Sequence, residues 1–168
     1  MATHIKISTI TVGSGGAASI DFTSIPATYT DLVLVLSGRA TSTTDWATGV
    51  FNNDTTATNY SYKGIQGNGA SASSNGNPTN GNFFLLSKSS NTASTFGSSV
   101  IYIPNYLSAN YKSASIDTIS ETNGATAYSQ MTAFLWSSTA AINQITLTIS
   151  GDTFAEFSSA TLYGIKSS

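Results

Sequence analysis

The chain of 168 residues contains no cysteine and a single histidine, His4. Without cysteine, disulfides and thiolate metal ligands are excluded. Zinc sites need several His or Cys ligands, so one histidine effectively excludes zinc. A Ser-His-Asp triad needs a histidine that packing holds rigidly beside a carboxylate, and His4 lies close to a chain end. We therefore interpret His4 as an incidental surface histidine.

Charged residues are also scarce, at 8% of the chain, with six basic and eight acidic side chains and a net charge of −2. The basic residues are scattered, whereas nucleic acids and anionic membrane surfaces are bound by clustered Lys and Arg. We therefore expect neither partner. The longest apolar run, Leu32–Leu36, is far shorter than the ~20 residues that span a bilayer. The first residues do not form a signal peptide, so we expect a soluble protein made in a cytoplasm.

The few carboxylates are poorly spaced for acid–base catalysis. On one strand, Asp117 and Glu121 would share a face but lie ~13 Å apart, beyond the about 6.5–9.5 Å between the two acids of an inverting glycosidase. Asp152 and Glu156 straddle a turn, and a pair from distant segments stays open. Residues 52–54 (Asn-Asn-Asp) are interpreted as a turn, because no spaced acidic series for calcium follows them. We predict no enzymatic activity, no metal and no cofactor.

The apolar runs are rich in β-branched and aromatic residues, and no 3.6-residue apolar period is sustained. About ten strands between turn signals predict an all-β fold, an antiparallel β-sandwich with a jelly roll as first choice. Residues 1–168 are predicted to form one domain, with a possible short N-terminal arm over residues 1–15. The predicted strands are 4–12, 19–22, 32–39, 46–52, 59–66, 82–87, 97–104, 112–121, 127–137, 142–150 and 154–166.

Three local irregularities are predicted. The apolar phase shifts by Ile10 in the first strand, which indicates a β-bulge. Ile116 and Ile119 fall out of phase with each other, which suggests an irregularity in that strand. Residues 67–81 are rich in Gly, Ser, Asn and Ala and are predicted to form a long surface loop.

Several strands are apolar on both faces, although an antiparallel sandwich normally has one polar face. Val33 and Val35 alternate with leucines, Val100 and Tyr102 alternate with isoleucines, and Met131 lies opposite in phase to two aromatic residues. Something must cover the second face. The sequence leaves two alternatives equally open: another segment of the same chain, such as the long loop, or a partner subunit.

Aromatic residues in or beside loops are the remaining candidates for a binding role, because such side chains anchor protein interfaces and sugar sites. We consider five of them as interface residues: Trp46, Tyr60, Tyr62, Tyr106 and Tyr111. Ordinary packing is favoured for Trp46 and Tyr60. Tyr106 and Tyr111 flank a predicted loop tip and are the better interface candidates.

Four segments resemble phrases common in structural proteins of tailed phages. They are Ser24–Leu34 (SIPATYTDLVL), Ile101–Tyr106 (IYIPNY), Tyr111–Ser113 (YKS) and Ala160–Ile165 (ATLYGI). Such proteins include jelly-roll capsid decoration (cement) proteins and the globular heads of tail fibres. The resemblance implies a location on the virion surface, the major capsid protein as partner and a homo-oligomer, commonly a trimer. It carries over no functional residue.

Two functions therefore lead. The first is a capsid decoration protein that binds the outer shell and stabilises the virion. The alternative is a tail-fibre module that binds a receptor or carbohydrate, which the aromatic residues near Asn and Asp favour. An esterase or glycosidase is disfavoured by the single histidine and the sparse acids.

Overall fold

The computed structural model describes residues 3–78, 82–124 and 127–166. These residues form twelve β-strands and one turn of 3-10 helix at Ala57–Asn59. The strands are β1 Thr3–Thr11, β2 Ser19–Phe22, β3 Asp31–Gly38, β4 Trp46–Phe51, β5 Tyr60–Gly67, β6 Ala72–Asn77, β7 Asn82–Leu85, β8 Gly97–Ile103, β9 Lys112–Ser120, β10 Tyr128–Trp136, β11 Ile145–Thr148 and β12 Ser159–Lys166.

The strands form two sheets. The larger has eight strands in the order β1-β12-β3-β8-β9-β10-β5-β6, and the smaller has four in the order β2-β11-β4-β7. All of these neighbours pair antiparallel. The predicted all-β antiparallel sandwich is confirmed, with twelve strands where about ten were predicted. A division into eight and four strands does not identify a jelly roll, so that finer assignment remains a prediction.

The two sheets pack through side chains that alternate along each strand, because successive residues of a strand point to opposite faces. In β3, Leu32, Leu34 and Leu36 are buried against the smaller sheet, which contributes Ile20 and Leu147 among others. Burying such a side chain contributes roughly 1.5–3 kcal/mol to stability. The hydrophobic effect thereby determines which face of each sheet packs against the other sheet, and the opposite face points outward.

The first strand is an edge strand of the larger sheet. It pairs with β12 from Thr3 opposite Lys166 to Thr11 opposite Ser159, with a register shift between Lys6 and Ser8. That shift confirms the predicted bulge. Most of the segment considered as a possible arm is therefore hydrogen-bonded into the sheet.

Two other local predictions are wrong. β9 alternates between buried and exposed residues without interruption, because Ile116 faces the core and Ile119 faces outward. The predicted loop over residues 67–81 contains β6, which pairs with β5 as the other edge of the larger sheet. Its Gly, Ser and Asn residues carry no strand pattern, yet their backbone groups complete a ladder. Residues 79–81 of that prediction lie outside the described residues.

Candidate interaction surface

The outer face of the eight-stranded sheet exposes large apolar side chains near its centre. The exposed fractions are 63% for Ile65, 61% for Met131, 47% for Ile119, 38% for Val100 and 37% for Tyr102. We call these five residues the apolar strip. They lie on four neighbouring strands, β8, β9, β10 and β5, and all point away from the core. Half-buried Val33 and Val35 continue the surface onto β3.

The strand register shows how the strip is arranged. One row of directly opposed residues crosses five strands, and it consists of Val35, Val100, Asp117, Met131 and Ile65. Directly opposed residues have Cβ atoms about 4.5–5.5 Å apart, so neighbours in a row are in reach of one another. Four of the five are apolar, and the row is therefore a nearly continuous hydrophobic band.

The adjacent row has smaller residues at its centre. It runs through Val33, Tyr102, Ser115, Ala133 and Lys63. Because the side chains of Ser115 and Ala133 are short, a shallow groove of about 570 Å³ lies between Tyr102 and Met131. At its rim the Tyr102 hydroxyl donates a 2.7 Å hydrogen bond to Asp31. That bond raises the pKa of Tyr102, since it stabilises the neutral phenol.

Asp117 and Lys63 are the charged residues of these two rows, and both are exposed. Within the described residues, the structure gives one ion pair, between Lys88 and Asp45 on another part of the surface. In the part of the chain that is described, neither Asp117 nor Lys63 therefore has an oppositely charged partner. They lie on β9 and β5, on either side of β10.

The prediction of strands apolar on both faces is confirmed. In β3 the leucines are buried while Val33 and Val35 face outward, and in β10 Phe134 is buried while Met131 is exposed. The segment considered as an internal cover supplies β6, which extends the same sheet at its edge. Within residues 3–78, 82–124 and 127–166, the strip therefore remains open to solvent.

The five aromatic candidates lie outside the apolar strip. Tyr60 is 3% exposed and Tyr106 is 0% exposed, so their burial contradicts an interface role for these two side chains. Tyr60 stacks on Phe134 and follows the packing favoured for it, whereas Tyr106 donates its hydroxyl proton to the carbonyl of Pro26. The burial of Tyr106 could not be predicted from its position, because a residue beside a loop tip can still point inward.

The other three candidates differ in exposure. Trp46 is half-buried on β4 in the smaller sheet, and half-buried Tyr62 packs against the core from the inner face of β5. Tyr111 is 59% exposed just before β9. It alone among the five keeps most of its ring available for a partner.

The predicted turn at residues 52–54 organises one end of the sandwich. Asn52 and Asn53 have φ values of 52° and 56°, which confirms the interpretation as a turn. The Asp54 carboxylate accepts hydrogen bonds from the indole N–H of buried Trp136 at 2.8 Å and from the side chain of Asn59 at 2.8 Å. This carboxylate is therefore occupied by structural hydrogen bonds.

The electrostatics of this end follow from burial and hydrogen bonding. Burial alone would raise the pKa of Asp54, but the bonds from Trp136, Asn59 and Thr56 outweigh it and lower the pKa to about 2. Burial raises the pKa of Tyr60 to about 12. Burial lowers the pKa of Lys112, whose ammonium group donates to two loop carbonyls at 2.8 and 2.6 Å.

Phe157 is an exposed aromatic residue with an unusual backbone conformation. It is 69% exposed and has a φ of 70°, a left-handed conformation that normally favours glycine. Its N–H donates to Val12 at 3.0 Å, and the N–H of Ser158 donates to Ala155 at 3.1 Å. The turn is thus held on both sides while the ring points into solvent.

The described residues contain no group of three or more His, Cys, Asp or Glu residues that could hold a metal ion. None of their helices has the length and apolar character needed to span a bilayer. Comparisons with protein-family models, curated proteins and solved structures gave no match to this chain.

Proposed function

We propose that this protein is a non-catalytic structural protein that binds other protein chains, and that it acts as a capsid decoration protein of a tailed phage. The observation that carries the binding role is the apolar strip, which lies open on the sheet in the described chain. Large exposed apolar patches mark interaction sites in soluble proteins. The choice of a phage capsid is supported by the sequence resemblance alone.

The strip offers a hydrophobic driving force for association. Each 100 Å² of apolar surface removed from water contributes roughly 2.5 kcal/mol. Part of this gain is offset by the lost rotational and translational freedom of the partners. Ile65 and Met131 are more than half exposed and lie directly opposite each other, so one partner surface can bury both.

The proposed mechanism is linkage. The protein binds the assembled shell and not the loose subunits, and it thereby stabilises the shell by RT ln(1 + [L]/Kd). The major capsid protein and further copies of this chain are the proposed partners, and the virion surface is the proposed location. Because charges are few, we expect attachment to depend weakly on ionic strength.

The direct test mixes the purified protein with undecorated shells of the phage that encodes it. Co-sedimentation and a higher melting temperature of the shells are expected. An Ile65→Ser/Met131→Ser variant should lose most of this effect, because it removes two exposed side chains of the strip without touching the core. Tyr111→Ser is the matched control, since it removes an exposed ring outside the strip and should bind normally. Shells that neither bind nor gain stability would refute the proposal.

The alternative proposal is a receptor- or carbohydrate-binding module of a tail or fibre. It is supported by exposed Tyr111, which follows Asn110 and so pairs an aromatic face with an amide. In this case Tyr111→Ser should abolish binding on a glycan array, and the strip variant should bind like wild type. This is the reverse of the pattern expected for the decoration protein.

A further inference from the structure

We infer that the apolar strip is covered by a second copy of this chain, related by a two-fold axis that sets Lys63 of each copy against Asp117 of the other. The inference depends on the proposed role of the strip as a protein-binding surface and does not depend on the capsid as partner. Its first support is charge complementarity, since these two unpaired charges of opposite sign lie within otherwise apolar and neutral rows.

The register fixes where the two charges lie. Asp117 is directly opposite Met131 on β10, and Met131 is directly opposite Ile65 on β5. Lys63 lies two residues from Ile65 on the same face of β5. With strands about 4.8 Å apart and ~3.4 Å between residues, Lys63 and Asp117 lie about 12 Å apart on either side of β10.

A two-fold axis can exchange these positions. Two sheets that stack face to face can be related by an axis that lies between them and parallel to both. If the axis passes over β10 at right angles to the line from Lys63 to Asp117, each lysine lies over the aspartate of the other copy. An isologous contact of this kind always repeats its pairs, so one axis forms both ion pairs.

The same operation matches the apolar residues. It brings Met131 of one copy over Ile65 of the other, and it brings Tyr102 towards the half-buried Leu135 at the far end of β10. The axis also passes over Ser115 and Ala133, so the groove of one copy faces the groove of the other. Charge and the apolar contact of Met131 with Ile65 therefore support the same axis.

The shared area corresponds to a small interface. Because the axis lies over β10, with two strands beyond it on one side, about four strand gaps of about 4.8 Å overlap, and strands of about seven residues give a length of roughly 23 Å. The product is about 440 Å² per copy, or about 900 Å² in total, which is the size of a weak, reversible contact. A three-fold arrangement would instead place the strip against a different surface of the next copy.

Charge reversal tests the pairing. The mass and dissociation constant of the purified protein without capsids are measured by light scattering and analytical ultracentrifugation. We expect a dimer for wild type and about ten- to hundred-fold weaker association for Lys63→Glu and for Asp117→Lys, because each change creates two repulsive contacts per dimer. The double variant Lys63→Glu/Asp117→Lys should restore the dimer. Glu156→Lys and Lys166→Glu make the same charge changes outside the strip and should leave association unchanged.

Each outcome separates this inference from the proposed function. A wild-type monomer or trimer, or a double variant that stays as weak as the singles, overturns the two-fold pairing even if wild type binds capsids. A rescued dimer that does not bind capsids supports the pairing and refutes the decoration role. Circular dichroism of each variant shows whether the sheet is retained, so a folding defect is recognised as such.

Discussion

Asp54 gives a prediction that links one carboxylate to acid stability. In Asp54→Ala, the buried indole N–H of Trp136 loses its acceptor, and Asn59 and the backbone of Thr56 lose theirs. An unsatisfied buried donor costs about 1–3 kcal/mol, while the groups nearer the surface can turn to water. We therefore expect Asp54→Ala to lower the free energy of unfolding by about 2–3 kcal/mol at pH 7.

Asp54→Asn removes the charge and keeps an acceptor for Trp136, while its NH2 group replaces the oxygen that accepts from the Thr56 N–H, a loss that does not vary with pH. The ordinary pKa of 3.8 falls to about 2 in the folded protein. A carboxyl whose pKa is lowered by folding adds stability above its unfolded pKa, and this stability disappears as the pH falls through the folded pKa. Each pKa unit corresponds to about 1.4 kcal/mol, and solvent screening of this half-buried group reduces the total to about 1–2 kcal/mol.

The assay is urea unfolding followed by tryptophan fluorescence at several pH values from 7 to 2. Wild type should exceed Asp54→Asn by about 1–2 kcal/mol at pH 7. The difference should shrink between pH 4 and 2 as Asp54 takes up its proton. Other carboxylates, including Asp152, titrate equally in both proteins and cancel in the difference. A difference that stays constant with pH would show that the charge of Asp54 has no stabilising role.

Three further substitutions test other features. Phe157→Gly should raise the free energy of unfolding by up to ~1 kcal/mol, because it relieves a left-handed φ and removes an exposed ring. Thermal unfolding of the two proteins measures the difference. Gly97→Ala should destabilise by roughly 2–3 kcal/mol, because its Cβ would lie 2.6 Å from the carbonyl oxygen of Leu85, and chemical denaturation checks this. Arg39→Ala should expose the loop over residues 89–95 to proteolysis, since the guanidinium donates to carbonyls of that loop.

The fold class was predictable because apolar residues that alternate with a period of two are a direct consequence of strand geometry. The alternation in β3 identified both its leucine face and its valine face, and the structure confirms each. The sequence does not predict a strand where backbone pairing alone holds it in the sheet. β6 consists of small, mostly polar residues and is held by backbone pairing with β5, so its sequence alone predicts a loop.

The candidate site was only partly predictable. The sequence predicts Val100, Tyr102 and Met131 on a second apolar face, because their strands alternate clearly. It also predicts an irregularity at Ile116 and Ile119, although the outward orientation of Ile119 is regular. Ile65 stands between glycine and glutamine and gave no signal by itself. Only the register with Met131 shows that it belongs to the strip.

Aromatic residue type proved a weaker guide than strand phase. Tyr60 and Tyr106 are buried because each ring fills the core while its hydroxyl reaches a backbone partner, Tyr60 with Asp54 and Tyr106 with Pro26. Tyrosine combines an apolar body with a polar tip, so its presence beside a loop is equally compatible with core and interface. Phase within a strand fixes the direction of a side chain, whereas position beside a loop does not.

The strip is separable from the fold, and this makes the binding proposals testable. Substitutions at exposed positions usually change stability by less than about 0.5 kcal/mol, so Ile65 or Met131 can be replaced by serine with little expected loss of folding. Their side chains thus contribute little to this chain alone, and their apolar surface remains an aggregation risk when it is left open. A second copy that covers the strip removes that risk.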